Sequence, residues 1–373
     1  MKKTINGQTV IQSFESWSPK SLAVEGDKIG LMIGTLDKPV KKVMIALDVL
    51  EEVIDEAVEK EVDLIIAHHP LIFKPLKHIN TKTGQGPIIE KCIKHDIAVY
   101  AAHTNLDVAK GGVNDMMAEA LGLIDTKVLV PTMEDKLKKL VAFVPEDHLE
   151  TVRHALGDAG AGHIGEYSHC SFTSEGTGAF MPGDEADPYI GEQGKMEFVS
   201  EKRIETILAE SQVKKVVNAL IKAHPYEEPA YDLYPSDMEG EVLGLGRIGS
   251  LENEMTLGDF ASHVKDAFDV NTVRAVGEKD SKVKKVAILG GDGNKYWSHA
   301  KRMGADVYVT GDLYYHVAHD AMMSGLKMID PGHNVEKVMK VGVQKRLKEQ
   351  MQKKGYEVEV LASEVNTDPF TFI

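Results

Sequence analysis

Cysteine is scarce in this 373-residue chain: Cys92 and Cys170 stand far apart, and there is no CxxC pair. That excludes a disulfide scaffold and argues against a thiolate zinc site. No apolar run reaches the roughly 18 residues of a membrane span, so none is expected. The N-terminal MKKTINGQTVIQSFESW carries two lysines with no apolar run behind them, and does not read as a signal peptide. Basic residues are in deficit, 43 Lys and Arg against 58 Asp and Glu, net −15. Sequence-independent nucleic-acid binding rests on basic patches, so it is disfavoured unless lysines such as Lys74 and Lys77 line an opening. The glycine-rich pieces GGDGN and GLGRIG lack the spacing of a Rossmann or phosphate-binding loop. The expectation is a cytoplasmic globular protein of roughly two domains, at about 100–200 residues each.

What the chain does have is an internal echo. KKVMIALDV (41–49) and KKVAILGGD (284–292) both read as buried strands, offset by 243 residues. Each is followed by a helical stretch and a second apolar run, DLIIAHH from Asp63 and DVYVTGD from Asp306, at the same offset of 243. Third runs follow, IAVYAAH from Ile97 and LKMIDPGH from Leu326. Alternating strand and helix patterns predict parallel sheets covered by helices. Between the halves, 129–242 reads strand, helix, strand, strand, helix, strand, the order of a ferredoxin-like domain. The fold class expected is therefore α/β: duplicated βαβ-type metal-binding halves, 1–128 plus 243–373, with an inserted ferredoxin-like (βαββαβ) domain at 129–242. The segment TGAFMPGDEADPYIGEQG reads as an exposed loop of that insert.

Three segments place metal-ligand side chains just after apolar runs: His68 and His69 in DLIIAHHPLIF, His103 and Asp107 in VYAAHTNLD, His333 and Glu336 in MIDPGHNVE. Imidazole and carboxylate bind zinc, manganese, iron or nickel. In open α/β sheets ligands collect beyond the carboxyl ends of strands, where these residues fall. Adjacent His68 and His69 serve one site only where the strand ends and the backbone turns, which Pro70 favours. The bland alternative is one buried and one exposed histidine. His103 and Asp107, four apart, share a face if the chain turns helical; the alternative for Asp107 is a helix cap. His103 is weighed as a group that orients a ligand or relays protons. His333 and Glu336, three apart, share a face on a first helical turn, against a capping role for Glu336. In TGDLYYHVAHD, Asp312 sits where the repeat puts His69, and His316 and His319 follow; the alternative is an ordinary turn with surface histidines. AHPYEEPAYD, with His224, Glu227 and Glu228, reads as a proline-flanked strand start with aromatic packing.

Taken together, HHP after an apolar strand, AAHTNLD and the late GHNVE resemble the Nif-three-like family, whose members are labelled GTP cyclohydrolase 1 type 2 homologues. The resemblance covers about 1–128 and 243–373. The insert, marked by GAGHIGEYSHCSF and AHPYEEPAYD, resembles the CutA-like or PII-like domain of longer bacterial members. This resemblance implies a dinuclear centre held by His68, His69, Asp107, His333 and Glu336, two divalent ions per subunit with zinc first and iron, manganese or nickel as alternatives. It also implies a homohexameric ring with the metal sites facing an internal cavity.

Two divalent ions against two carboxylates leave positive charge that favours an anionic small molecule. A metal-bound water has its pKa lowered to about 7, which supplies a nucleophile. The chemistry expected is metal-dependent hydrolysis of a nucleotide or phosphoester, with His103 or His316 moving the proton. The competing expectation is a non-enzymatic, metal-holding regulatory or assembly ring whose PII-like insert senses a ligand.

Overall fold

The computed structural model describes residues 5–373. They form a mixed α/β fold with several sheets, in two compact units: one of residues up to Met133 together with Leu243–Ile373, the other Glu134–Val242. Among the described residues no helix is long and apolar enough to cross a membrane.

The first unit contains a five-stranded and a six-stranded sheet. At the centre of the five-stranded sheet Lys42–Ala46, Leu64–Ala67 and Ala98–Ala101 run parallel. Gly30–Ile33 pairs antiparallel at one edge and Glu359–Ala362 parallel at the other. The six-stranded sheet also has a parallel trio, but Glu241–Thr256 pairs antiparallel with the trio's first strand where the other sheet has a parallel neighbour. Lys282–Asp292, Val307–Gly311 and Lys327–Asp330 are parallel neighbours, and Arg274–Val276 is the antiparallel strand beyond them. The apolar runs read from the sequence are these six parallel strands. Their short, nearly unbroken apolar sequences follow from burial on both faces.

Side-chain parity divides the packing. Val43, Ile45, Leu64 and Ile66 from one sheet, and Val286, Ile288, Val307 and Val309 from the other, join a single core with Phe14, Phe260 and Met339. The opposite parity, Met44, Ile65 and Val99, packs under Val53, Ile54, Ile88 and Ile89. In the other sheet Ala287, Tyr308 and Met328 pack with Ala300 and Ala321. Each fully buried aliphatic or aromatic side chain contributes about 1.5–3 kcal/mol, so the shared core is what fixes one sheet against the other. A polar device recurs at strand starts. Asp63 accepts the backbone N–H groups of Lys41 and Lys42 (2.6 and 2.9 Å), and Asp306 accepts those of Lys284 and Lys285 (3.0 and 2.8 Å).

The second unit has an antiparallel sheet ordered Tyr231–Pro235, Leu137–Pro145, Glu197–Ala209, Ser171–Phe180. Helices Leu149–Asp158 and Val213–Ala223 cover one face, burying Val152, Leu156, Val216 and Leu220 on Leu140, Ala142, Ile204 and Leu208. Of the segment expected as an exposed loop, residues 177–180 belong instead to the strand Ser171–Phe180, and the remainder is exposed over much of its length. It also folds back on itself: Gly194 donates to the Pro182 carbonyl (2.9 Å), and the Asp187 N–H reaches Glu227 (3.2 Å).

Candidate metal centre

The sheets of the first unit deliver their strand ends to one place. After Leu64–Ala67 the backbone pairs for two more residues, with His68 N–H donating to Ala46 O and His69 N–H to Leu47 O. The chain bends there, so both rings stay on one side, their centroids 5.0 Å apart. His103 follows Ala98–Ala101 and starts the helix Thr104–Val108, whose single turn returns Asp107 to the same side. His333 follows Lys327–Asp330 and opens a 3-10 helix, His333–Lys337. An ordinary helical turn was expected there; the tighter winding, about three residues per turn, eclipses positions three apart. His333 Nε2 accordingly lies 3.3 Å from Glu336 Oε2.

Around Glu336 the groups converge. Its Oε2 is 3.1 Å from His69 Nε2 and 3.8 Å from His68 Nε2, and His68 Nε2 is 3.6 Å from Asp107 Oδ1. Two sets of three potential metal ligands, His68–Asp107–Glu336 and His69–His333–Glu336, share this glutamate. A third set joins His103 to His68 and His69. His68, Asp107 and Glu336 are buried, whereas His69 and His333 reach solvent.

Behind each ring stands an acceptor. The Nδ1–H of His68 donates to the Ala102 carbonyl (3.0 Å), that of His69 to Asp48 (2.7 Å), that of His103 to Asp27 (2.9 Å) and that of His333 to Asp312 (2.6 Å). Such bonds fix the tautomer and turn Nε2 toward the centre, the arrangement that supports metal-binding histidines. Asp48 and Asp27 were missed in the sequence. Asp48 was within reach of the strand-end rule, lying two residues past Lys42–Ala46; nothing in AVEGDK marked Asp27. Gly290 and Gly291, given little weight as a nucleotide signal, have a steric role. A Cβ would fall 2.6 Å from Glu336 Oε1 at Gly290, and 3.3 Å from His333 Nε2 at Gly291, where φ is +60°.

The residues fit a metal. His68 Nε2 and Asp107 Oδ1 are buried without any hydrogen-bond partner. Leaving such groups unsatisfied costs about 1–3 kcal/mol each, more for a charged one, and a cation between them removes the cost. The protonation pattern agrees. Burial opposes charge on His69, yet the hydrogen bonds to Asp48 and Glu336 outweigh it and push its pKa up to about 10. Glu336 raises His333 to about 9 against the effect of burial. Burial pushes Asp107 up, opposed by the His68 charge. For Glu336 burial acts upward, but the surrounding imidazoles hold the carboxyl well below its usual range.

Of the remaining predicted residues, His316 is exposed on the helix Tyr315–Met323, its ring 5.4 Å from Tyr315 and outside the cluster. His319 meets the same tyrosine edge-on, with 4.7 Å between centroids. His224 is a packing residue: it is buried, bonded to the Phe143 carbonyl (2.8 Å) and to the Tyr226 N–H (3.1 Å). The charge tally that counted only two carboxylates also changes. With Asp27, Asp48 and Asp312 behind the rings, the carboxylates number five.

The family model described as Duf34/NIF3 (NGG1p interacting factor 3) matches residues 5–369. The chain belongs to the DUF34/NIF3 family. It is 64% identical over 373 residues, 100% of both chains, to a Bacillus subtilis protein named GTP cyclohydrolase 1 type 2 homolog. A Bacillus cereus protein related to NIF3 has a solved structure with TM-score 0.95 and 63% identity, covering 100% of each chain. A Staphylococcus aureus structure gives 0.77 and 36%, covering 99% of each.

Two outcomes are expected of this centre in a DUF34/NIF3 protein. In the metal-free protein the raised histidine pKa values contribute stability that is fully present below about pH 6.5 and lost as pH rises through about 9 and 10. A bound ion replaces those protons, so the difference in Tm between metal-loaded and chelator-treated protein should widen across that window; a constant gap would contradict it. Asp48→Asn should weaken zinc affinity by about 10–100-fold in competition with a chromogenic chelator, because the amide no longer holds the His69 ring as an anionic acceptor.

Proposed function

We propose that this protein holds two divalent metal ions, zinc first and iron, manganese or nickel as alternatives, and uses them to hydrolyse a nucleotide or another phosphate-containing small molecule. The observation that carries this is the sharing of Glu336 by two three-residue sets, one closed and one open. The His68 side chain is fully buried, whereas His69 is 22% and His333 38% exposed. A closed set suits an anchoring ion; a set with solvent on one side suits exchange of water and substrate. When bound, such ions lower the pKa of coordinated water to about 7 and polarise a phosphoryl oxygen.

The chain's own residues then have distinct parts. Asp48 and Asp312 orient His69 and His333. Asp27, whose carboxyl burial would raise but which hydrogen bonds from His103 and Thr104 hold well below the usual range, fixes the His103 ring. That leaves His103 Nε2 facing the cluster, where it can take or give a proton. His103 is the better supported proton carrier, since His316 stands outside the cluster. Two divalent ions against the five carboxylates Asp107, Glu336, Asp27, Asp48 and Asp312 would leave one negative charge, which favours a substrate engaged by direct coordination rather than by long-range attraction. The name borne by the Bacillus subtilis relative supports a nucleotide among the substrates.

In this reading the first unit is a pair of duplicated halves. The matching parallel trios and the Asp63 and Asp306 devices support it, and duplication explains why ligands arrive from two sheets. The second unit is an inserted ferredoxin-like domain, supported by its βαββαβ order and antiparallel sheet, with a PII-like sensing role. The protein works in the cytoplasm as a homohexameric ring. A second reading, a non-enzymatic centre that holds the fold, draws on the burial of the inner set.

Protein purified without added metal should contain two ions per chain by elemental analysis. His69→Ala should lower hydrolysis of a nucleotide and phosphoester panel by at least about 100-fold, the scale of losing a metal-positioning group. Equal activity in both proteins would remove the catalytic reading and leave the structural one. Light scattering on the eluting protein should give six times the chain mass; a monomer would overturn the ring.

A further inference from the structure

The second unit contains a concavity of about 950 Å³ that has no part in the metal centre. It lies between the strand Ser171–Phe180, the folded-back loop after it and the segment PYEEPA. Its size falls within the about 300–1,000 Å³ of sites that take small organic ligands. Aromatic rings from separate segments form its walls: Phe143, Phe180, Tyr189 and Tyr226. Tyr226 meets Phe180 at 5.9 Å and Tyr189 at 6.3 Å between centroids, both tilted, so their faces are not spent on stacking with one another.

The charge around these rings has one dominant sign. Glu201 is buried, accepts the Tyr226 hydroxyl at 2.9 Å and lines the concavity. Glu185 and Glu228 line it too, with Glu227, which accepts the Asp187 N–H, and Glu175, which is bound to Lys202. The single lining base is Arg203, whose Nη2 is engaged by Glu205 at 2.9 Å while its Nε is buried without a partner, one cation against five carboxylates. Aromatic faces and carboxylates around one apolar space stabilise a cation whose charge is carried on carbon-rich groups: the ring quadrupoles attract it and the carboxylates neutralise it. An anion would meet the acidic groups instead, and a bare metal ion would gain nothing from the rings. The sequence motif AHPYEEPAYD, which the metal centre leaves unused, supplies Tyr226, Glu227 and Glu228 to this wall.

We propose that the aromatic and acidic concavity of the second unit is a binding site for a small organic cation of the alkylammonium class. The folded-back loop carrying Glu185 and Tyr189 closes over it.

Choline is the probe, titrated by calorimetry into the intact protein in physiological salt. Saturable binding at one site per chain is expected. It should weaken about tenfold or more in Tyr189→Ser, which removes an exposed ring, and in Glu228→Gln, which removes an exposed charge. Glu210→Gln, an acid outside the concavity, should leave it unchanged. The proposal is overturned if choline and tetramethylammonium both fail to saturate in the millimolar range. It is equally overturned if both pocket variants bind like the wild type, or if AMP binds there in their place. Zinc content should be the same in all these variants, which separates the outcome from that of the metal centre.

Discussion

One buried carboxylate organises the first unit's chemistry. Glu336 stands within 3.8 Å of three imidazoles that arrive on strands of two different sheets. A charge in that position is costly unless it is paired, and here it is paired several times over. The same geometry that makes Glu336 tolerable in the metal-free protein places it in both three-residue sets that could hold a cation. Protons on His69 and His333 occupy the role that metal ions would take, which ties metal content, stability and pH together.

The convergence depends on backbone detail. Positions 68 and 69 both face the centre because the parallel ladder ends under them. Glu336 falls under His333 because a 3-10 turn, and not an α-helical one, follows Gly332. Gly290 and Gly291 leave the room into which Glu336 and His333 project. The outer carboxylates Asp27, Asp48 and Asp312 aim the rings, so the ligand atoms are oriented before any ion arrives. Preorganisation of that kind is what distinguishes a metal centre from a chance cluster of acids and histidines.

The second unit applies different physics. Its helices and sheet bury a conventional apolar core on one side. The aromatic residues of PYEEPA and of the folded-back loop are kept out of that core. Rings held at the edge of a concavity beside carboxylates attract charge through their faces, whereas rings in a core contribute mainly through buried area.

Much of this was legible before any coordinates. The six parallel strands announce themselves as short apolar runs because both their faces are buried. The rule that ligands gather at strand ends selected His68, His69, His103 and His333, helical spacing added Asp107 and Glu336, and the structure brings these six residues together. Asp27 and Asp48 escaped because an isolated aspartate in a loop looks the same whether it aims a histidine or faces water. His316 drew attention by residue type alone, and the helix carrying it turns its ring outward. The loop before Tyr189 read as solvent-exposed because its composition reports backbone freedom and not what it folds against. Local sequence thus determined the strands, the ligand chemistry and the end of the sheet where it lies, since periodicity and residue type are properties of neighbours along the chain. Only the tertiary structure decided which carboxylate is shared, which acids stand behind the rings and which aromatics line a cavity, because those depend on distances between segments up to 267 residues apart.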